Sequence, residues 1–227
     1  MAKVAIEGLH AGNRLPILVG GTGLYLRTLL EGIAPIPPID PHIRAEVRRV
    51  GVAENLAALT SLDPVAARKL NPGDTTRIAR ALEVVKSTDR TLAQWQERRE
   101  GGIGNAIGLR PLVLLPPRPW LYERCDRRFE AMFESGAIAE VETLLERALD
   151  PQLPVMRAIG VAEVGALLDG RLSHEEAVDA GQQATRRYAK RQYTWFANQT
   201  PPDWPRFEEP LESGALDRAL ALLAAAE

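Results

Sequence analysis

One cysteine, Cys125, stands in 227 residues. A lone thiol makes no internal disulfide and supports neither a CxxC redox pair nor a cysteine zinc cluster, a usage that suits a reducing compartment. The chain is therefore read as cytoplasmic. Histidine is scarce as well: His10, His42 and His174 share no ligand spacing with one another or with carboxylates, so no metal site is indicated. No apolar run approaches the roughly 18 residues of a membrane span, and the first residues lack the basic-then-apolar pattern of a signal peptide. A formal charge of -2 rules out a wholly basic nucleic-acid coat but says nothing about local patches. The balance, 45% apolar and 26% charged, is that of a globular protein with one substantial core or two small lobes.

The stretch LPILVGGTGLYLRTLLEG, Leu15 to Gly32, carries the first local signal. Its opening apolar run has no polar alternation and reads as a central parallel strand covered on both faces, running into Gly20, Gly21 and Gly23 and then a helix. Partner strands are expected from Arg110 to Trp120, with Trp204 to Phe207 as a further candidate. Glycines admit backbone angles closed to other residues, a helix N-terminus offers unpaired N–H groups to an anion, and Thr22 adds a hydroxyl. The lysine of a G-x-x-x-x-G-K-[ST] loop does not follow, so phosphate contact and a plain strand-to-helix turn both remain open.

A proline-rich connector spans Ile33 to Pro41, and helical patterns follow, with starts marked by Asp63-Pro64 and Asp74. Gly101 to Gly108 reads as a flexible return, and the rest is mostly helical. The expected layout is an α/β core from residues 1–34 and 110–227, interrupted by a helical insertion at 35–109.

Between Ala180 and Pro202 there is no Asp or Glu, while Arg186, Arg187, Lys190 and Arg191 are all present. At 3.6 residues per turn, Gln183, Arg187, Lys190, Arg191, Thr194 and Asn198 share an arc of about 100°, with Thr185, Tyr188, Ala189 and Phe196 on the other side. A basic stripe backed by an apolar face suits a phosphate backbone, whereas an ordinary solvated helix face usually mixes signs. In DTTRIAR, Asp74 is placed to cap a helix that carries Arg77 and Arg80, with Glu83 as a natural partner for Arg80. In DRRFEAM, Arg124, Arg127 and Arg128 neighbour Asp126 and Glu130, an arrangement that reads as surface ion pairs.

Six stretches in this order resemble the tRNA dimethylallyltransferases, also called isopentenyl-pyrophosphate transferases. They are PILVGGTGLYL at Pro16, PHIR ending at Arg44, NPGDTTRIARALEV at Asn71, RRFEAMFESG at Arg127, LPVMRAIGV at Leu153 and ATRRYAKRQYTWF at Ala184. The resemblance implies a helix-rich α/β fold with a P-loop NTPase-like parallel-sheet core, here incomplete, and a mostly helical insertion. It implies transfer of a dimethylallyl group from dimethylallyl pyrophosphate to N6 of adenosine 37 in the tRNA anticodon stem-loop, with Mg2+ and as a monomer without membrane attachment. By this likeness Thr22 is catalytic, and Gly20, Gly21, Gly23 and Arg128 lie at the donor pyrophosphate. Arg44, Thr76, Arg77, Ile78, Ala79, Arg80, Arg157, Gly160, Lys190, Arg191, Gln192, Thr194 and Trp195 match tRNA-contact positions.

Departures accompany the likeness. The family opens with a P-loop strand and helix and an aspartate that accepts the N6 proton, and nothing in this sequence aligns with them; metal ligands are expected there too. A chain of this length is accordingly expected to show little prenyl transfer alone, and a non-catalytic tRNA-binding remnant is the alternative. Val161 and Ala162 stand where the family often has an aromatic and a basic residue, and Ala197 where it often has arginine.

Overall fold

The computed structural model describes residues 1–212 and 214–225. The chain divides into two compact units, Met1–Gly108 and Leu109–Glu227.

In the first unit α1 (Ala2–Ala11) and α2 (Gly23–Glu31) precede a helical body made of α3 (Pro41–Arg49), α4 (Val52–Leu62), α5 (Pro64–Lys69), α6 (Thr75–Thr88) and α7 (Leu92–Gln96). Each start in this body has a local cause. Asp40, Asp63 and Asp74 accept bonds from the amides of His42, Ala66 and Arg77 at 2.7, 2.9 and 3.1 Å, and Thr91 with Gln94 closes a capping box. Val47, Leu59, Ile78, Leu82 and Val85 fuse α3, α4 and α6 into one core. Buried Asn55 donates its Nδ2 to the Val47 carbonyl at 2.8 Å, satisfying an acceptor that the end of α3 would otherwise leave orphaned.

The segment expected to return flexibly, Gly101 to Gly108, is tied back by the Ile103 amide donating to the Leu29 carbonyl at 2.9 Å and is preceded by a bridge. Ile33 and Glu100 exchange two backbone hydrogen bonds of 3.0 Å, so the chain enters and leaves the helical body through one antiparallel bridge. Gly102 makes that crossing possible, because a Cβ there would stand 2.6 Å from the Glu31 carbonyl carbon.

The second unit runs β1 (Val113–Leu114), α8 (Arg118–Glu134), α9 (Ala137–Glu146), α10 (Val161–Leu168), α11 (His174–Gln199), β2 (Arg206–Phe207) and α12 (Ala215–Ala225). Phe129, Phe133, Val141, Val161, Val164 and Ala177 form its main core where α8, α9, α10 and α11 meet. The two short strands pair in parallel, Val113 opposite Arg206 and Leu114 opposite Phe207, and α12 lays Ala215 and Ala219 against Phe207. Both candidate partner segments therefore become strands, and the class is a helix-rich α/β fold. No helix among the described residues is long and apolar enough to cross a membrane.

Leu15 to Val19 departs from expectation. The run carries no assigned secondary structure and joins no ladder, and Leu15, Ile17 and Val19 are 83–89% exposed. Among the described residues the parallel ladder consists of β1 and β2 alone, and these bond to each other. A strand is buried by its neighbours, so an apolar run without them stays open on both faces.

Candidate functional site

A polar surface carrying one sign of charge lies on α11. Its start is secured by a capping box, with the Glu176 amide donating to Ser173 Oγ at 3.2 Å and the Ser173 amide to the Glu176 carboxylate at 2.7 Å. Glu175 and Glu176 sit at the positive end of the helix dipole, while the cations gather further along. Ala177, Gly181, Gln182, Thr185 and Ala189 are buried, and Gln183, Arg187, Lys190, Arg191, Thr194 and Asn198 are all exposed on the opposite side. The face matches the expected arc.

Local contacts shape this stripe without neutralising it. Arg187 donates to Gln183, the Arg191 guanidinium lies 5.5 Å from the Tyr188 ring centroid, and Asn198 donates to the Thr194 carbonyl at 2.7 Å. Among the described residues, none of Arg187, Lys190 and Arg191 pairs with a carboxylate. Two assignments change. Arg186 is consumed inside the α8–α11 contact, donating to Asp126 at 2.6 Å beside a Gln182–Glu130 bond of 2.7 Å. Tyr188, expected on the apolar side, is exposed under Arg191. Gln192 and Trp195 are half-buried at the edge of the face, Trp195 edge-on to Phe196 with centroids 5.0 Å apart.

Elsewhere in this unit, a 3-10 turn at Pro154–Arg157 presents Arg157 to solvent. Gly160 is buried at φ +103°, a conformation that favours glycine, and its amide donates to Glu163 at 2.9 Å. The turn walls an apolar cavity of about 450 Å³ with Phe129, Phe133, Val141, Ile159 and Val164. On α8, Arg127 pairs with Glu123 at 3.7 Å and Arg124 stacks over Trp120, leaving Arg128 exposed without an ion pair among the described residues. Burial pushes the neighbouring Cys125 thiol above its usual range, against an opposing pull from Arg128. Less thiolate at a given pH means slower chemistry. Iodoacetamide alkylation at pH 8 is expected to run several-fold slower in the folded chain than in urea, with its onset moved to higher pH. Equal rates in both states would contradict the burial.

In the first unit Thr22 is the N-cap of α2. Its carbonyl accepts from the Tyr25 and Leu26 amides at 2.9 and 3.3 Å, while its exposed hydroxyl makes no capping bond. None of Gly20, Gly21 and Gly23 uses a left-handed backbone, and Gly23 is already the first residue of α2. On α6, Thr76 and Arg77 are exposed, Ala79 and Arg80 half-buried, and Ile78 is fully buried in the core, out of reach of any surface ligand.

The model of the IPP transferase family matches residues 1–199. The tRNA dimethylallyltransferase of Sphingopyxis alaskensis is 62% identical over 216 residues, spanning 95% of this chain and 71% of that protein. The chain belongs to the IPP transferase family. A second relative, the tRNA dimethylallyltransferase of Zymomonas mobilis, is 49% identical over 96% of this chain and 70% of its own length. Among solved structures, the full-length tRNA isopentenylpyrophosphate transferase of Bacillus halodurans superposes with a TM-score of 0.61 at 31% identity, covering 98% of this chain and 69% of that one. A eukaryotic dimethylallyltransferase acting on tRNA reaches 0.74 at 25% identity, covering 97% and 58%.

Within this member of the family, sequence reasoning missed one constellation. Glu83 does not pair with Arg80. Its carboxylate accepts a hydrogen bond from Arg48 Nε at 3.0 Å, and Arg44 Nε stands 3.8 Å from its other oxygen as an ion pair without a hydrogen bond, both from α3. The signal was the four-residue spacing of Arg44 and Arg48, which puts both on one helix face, but the partner lies 35 residues away from Arg48 in sequence.

Proposed function

We propose that the chain serves tRNA prenylation, in which a dimethylallyl group passes from dimethylallyl pyrophosphate to the exocyclic N6 of adenosine 37 beside the anticodon. The carrying observation is the exposed, acid-free face of α11, where Arg187, Lys190 and Arg191 remain available to an RNA backbone. The relatives' names give a dimethylallyl group and tRNA, and the sequence resemblance adds the pyrophosphate donor and N6 of adenosine 37. N6 attacks the allylic carbon, the carbon–oxygen bond to pyrophosphate breaks, and N6 loses a proton. An adenine stacked in a loop is badly placed for this, so its extrusion at a cost of a few kcal/mol is the sensible route. Thr22, with an exposed hydroxyl outside any cap, hydrogen-bonds at the reacting centre, and Arg128 neutralises leaving pyrophosphate. Arg44, Thr76, Arg77, Arg80, Arg157, Lys190, Arg191 and Thr194 hold the tRNA.

The protein acts as a cytoplasmic monomer, with magnesium on the donor pyrophosphate. Among the described residues no group of three or more His, Cys, Asp or Glu side chains is placed to hold a metal ion, so none is assigned to it.

Filter binding to an unmodified anticodon stem-loop hairpin across a salt series tests the reading, and the absence of salt-dependent association would remove it. Labelled dimethylallyl pyrophosphate, magnesium and unmodified tRNA then report transfer. Label on the loop adenosine supports catalysis by these 227 residues. Binding without label supports the second reading, a tRNA-holding piece, which the exposed, unpaired run at Leu15 to Val19 favours.

A further inference from the structure

Glu83 is the one charged residue among the buried positions of α6, set between Leu82 and Val84 with its side chain 2% exposed. A carboxylate removed from water is costly unless cations and hydrogen bonds compensate it. Two arginines do so here, Arg48 by an Nε hydrogen bond of 3.0 Å to one carboxylate oxygen and Arg44 by charge alone, its Nε 3.8 Å from the other. Their side chains are 46% and 65% exposed, and among the described residues neither makes any bond through its terminal nitrogens. A guanidinium held by its Nε keeps its outer fork free for a phosphate oxygen pair.

Docking of α3 does not depend on this contact. Val47 is already sunk in the core, and Lys86 pairs with Glu46 at 2.8 Å between the same two helices. Two cations against one anion leave the triad with a net positive charge, and Arg80 stands one turn before Glu83 on α6. What Glu83 adds is orientation. Free arginines on a solvated helix would spend most of their time elsewhere, and fixing two forks one turn apart removes that entropy before a ligand arrives.

We infer that Glu83 is a positioning residue that holds Arg44 and Arg48 as a paired clamp for the phosphate backbone of RNA, with Arg48 a direct contact. The inference rests on the tRNA reading above and deepens it.

Filter binding of the full chain to the unmodified anticodon stem-loop hairpin tests it. R48A is expected to bind about 5-fold to 10-fold more weakly, with the slope of log K against log salt reduced by roughly one. R48K, which keeps the charge beside Glu83 but loses the fork, should fall between R48A and the unaltered chain. E83Q should also bind several-fold more weakly while its thermal transition stays in place. The double variant E83Q/R48A should lose far less than the product of the single losses, since one residue acts through the other. Multiplying losses, or an R48A variant that binds like the unaltered chain, would overturn the clamp. If E83Q fails to fold, the R48A and R48K results decide alone. An unaltered chain that shows no salt-dependent binding would instead sink the tRNA reading, and the clamp with it.

Discussion

Replacing Arg187, Lys190 and Arg191 together with glutamate is expected to weaken binding of an anticodon stem-loop hairpin by about 100-fold or more near 0.1 M salt, and to lower the salt slope by roughly two to three. The size follows from counterion release. A protein with six to ten phosphate contacts loses about 10³ to 10⁵ in affinity between 50 and 200 mM salt, so each contact carries roughly half a logarithmic unit over that interval. Reversal adds repulsion to the lost contacts. The fold has little reason to respond, because all three side chains are exposed, none pairs with a described carboxylate, and glutamate equals lysine and arginine as a helix former. R68E/K69E on α5 changes charge in the same sense on an exposed helix with no assigned contact, and should bind nearly as the unaltered chain does. An unchanged salt slope in the α11 variant would remove that helix from the interface.

This face was legible in the sequence because everything that defines it is local. The period of a helix, the missing acidic residues and the Ser173 start can all be read from one stretch of chain, and the exposed residues are those the arc names. The aspartate caps at Asp63 and Asp74 were legible for the same reason. What failed required a partner distant in sequence. Arg186 looked like its cationic neighbours until Asp126, 60 residues away, took it. Glu83 looked like a partner for Arg80 one turn back, but α6 turns Glu83 inward beneath α3. Leu15 to Val19 has the composition of a buried strand, and composition reports fitness for burial rather than the presence of a covering neighbour.

Gly181→Ala should be the most damaging conservative change in the second unit. Two effects oppose each other. In a helix interior alanine is favoured over glycine by about 0.8–1.0 kcal/mol, so propensity alone predicts a gain. Against it, a Cβ at position 181 would stand 1.9 Å from Phe129 Cζ and 2.3 Å from Cε1, distances no packed atoms adopt. The ring is 3% exposed, with Phe133 5.0 Å away centroid to centroid, and the space it can yield into is the cavity of about 450 Å³ that it walls with Phe133, so relief of the overlap means displacing both rings of the core. Overpacking of this kind typically costs about 1–3 kcal/mol and occasionally more, and the overlap here puts G181A at the upper end, a net loss of roughly 2 kcal/mol. Urea unfolding of G181A, F129L and G181A/F129L separates the causes. Leucine in place of the ring should cost stability alone yet recover part of the loss when paired with alanine, giving a coupling of opposite sign to the single effects. The consequence reaches the RNA face, because the α8–α11 contact that Gly181 permits also seats Arg186 on Asp126 and so fixes which side of α11 meets solvent. G181A should therefore weaken hairpin binding without lowering the salt slope, whereas the charge reversal lowers both. A variant as stable as the unaltered chain would show that α8 and α11 are not packed this closely.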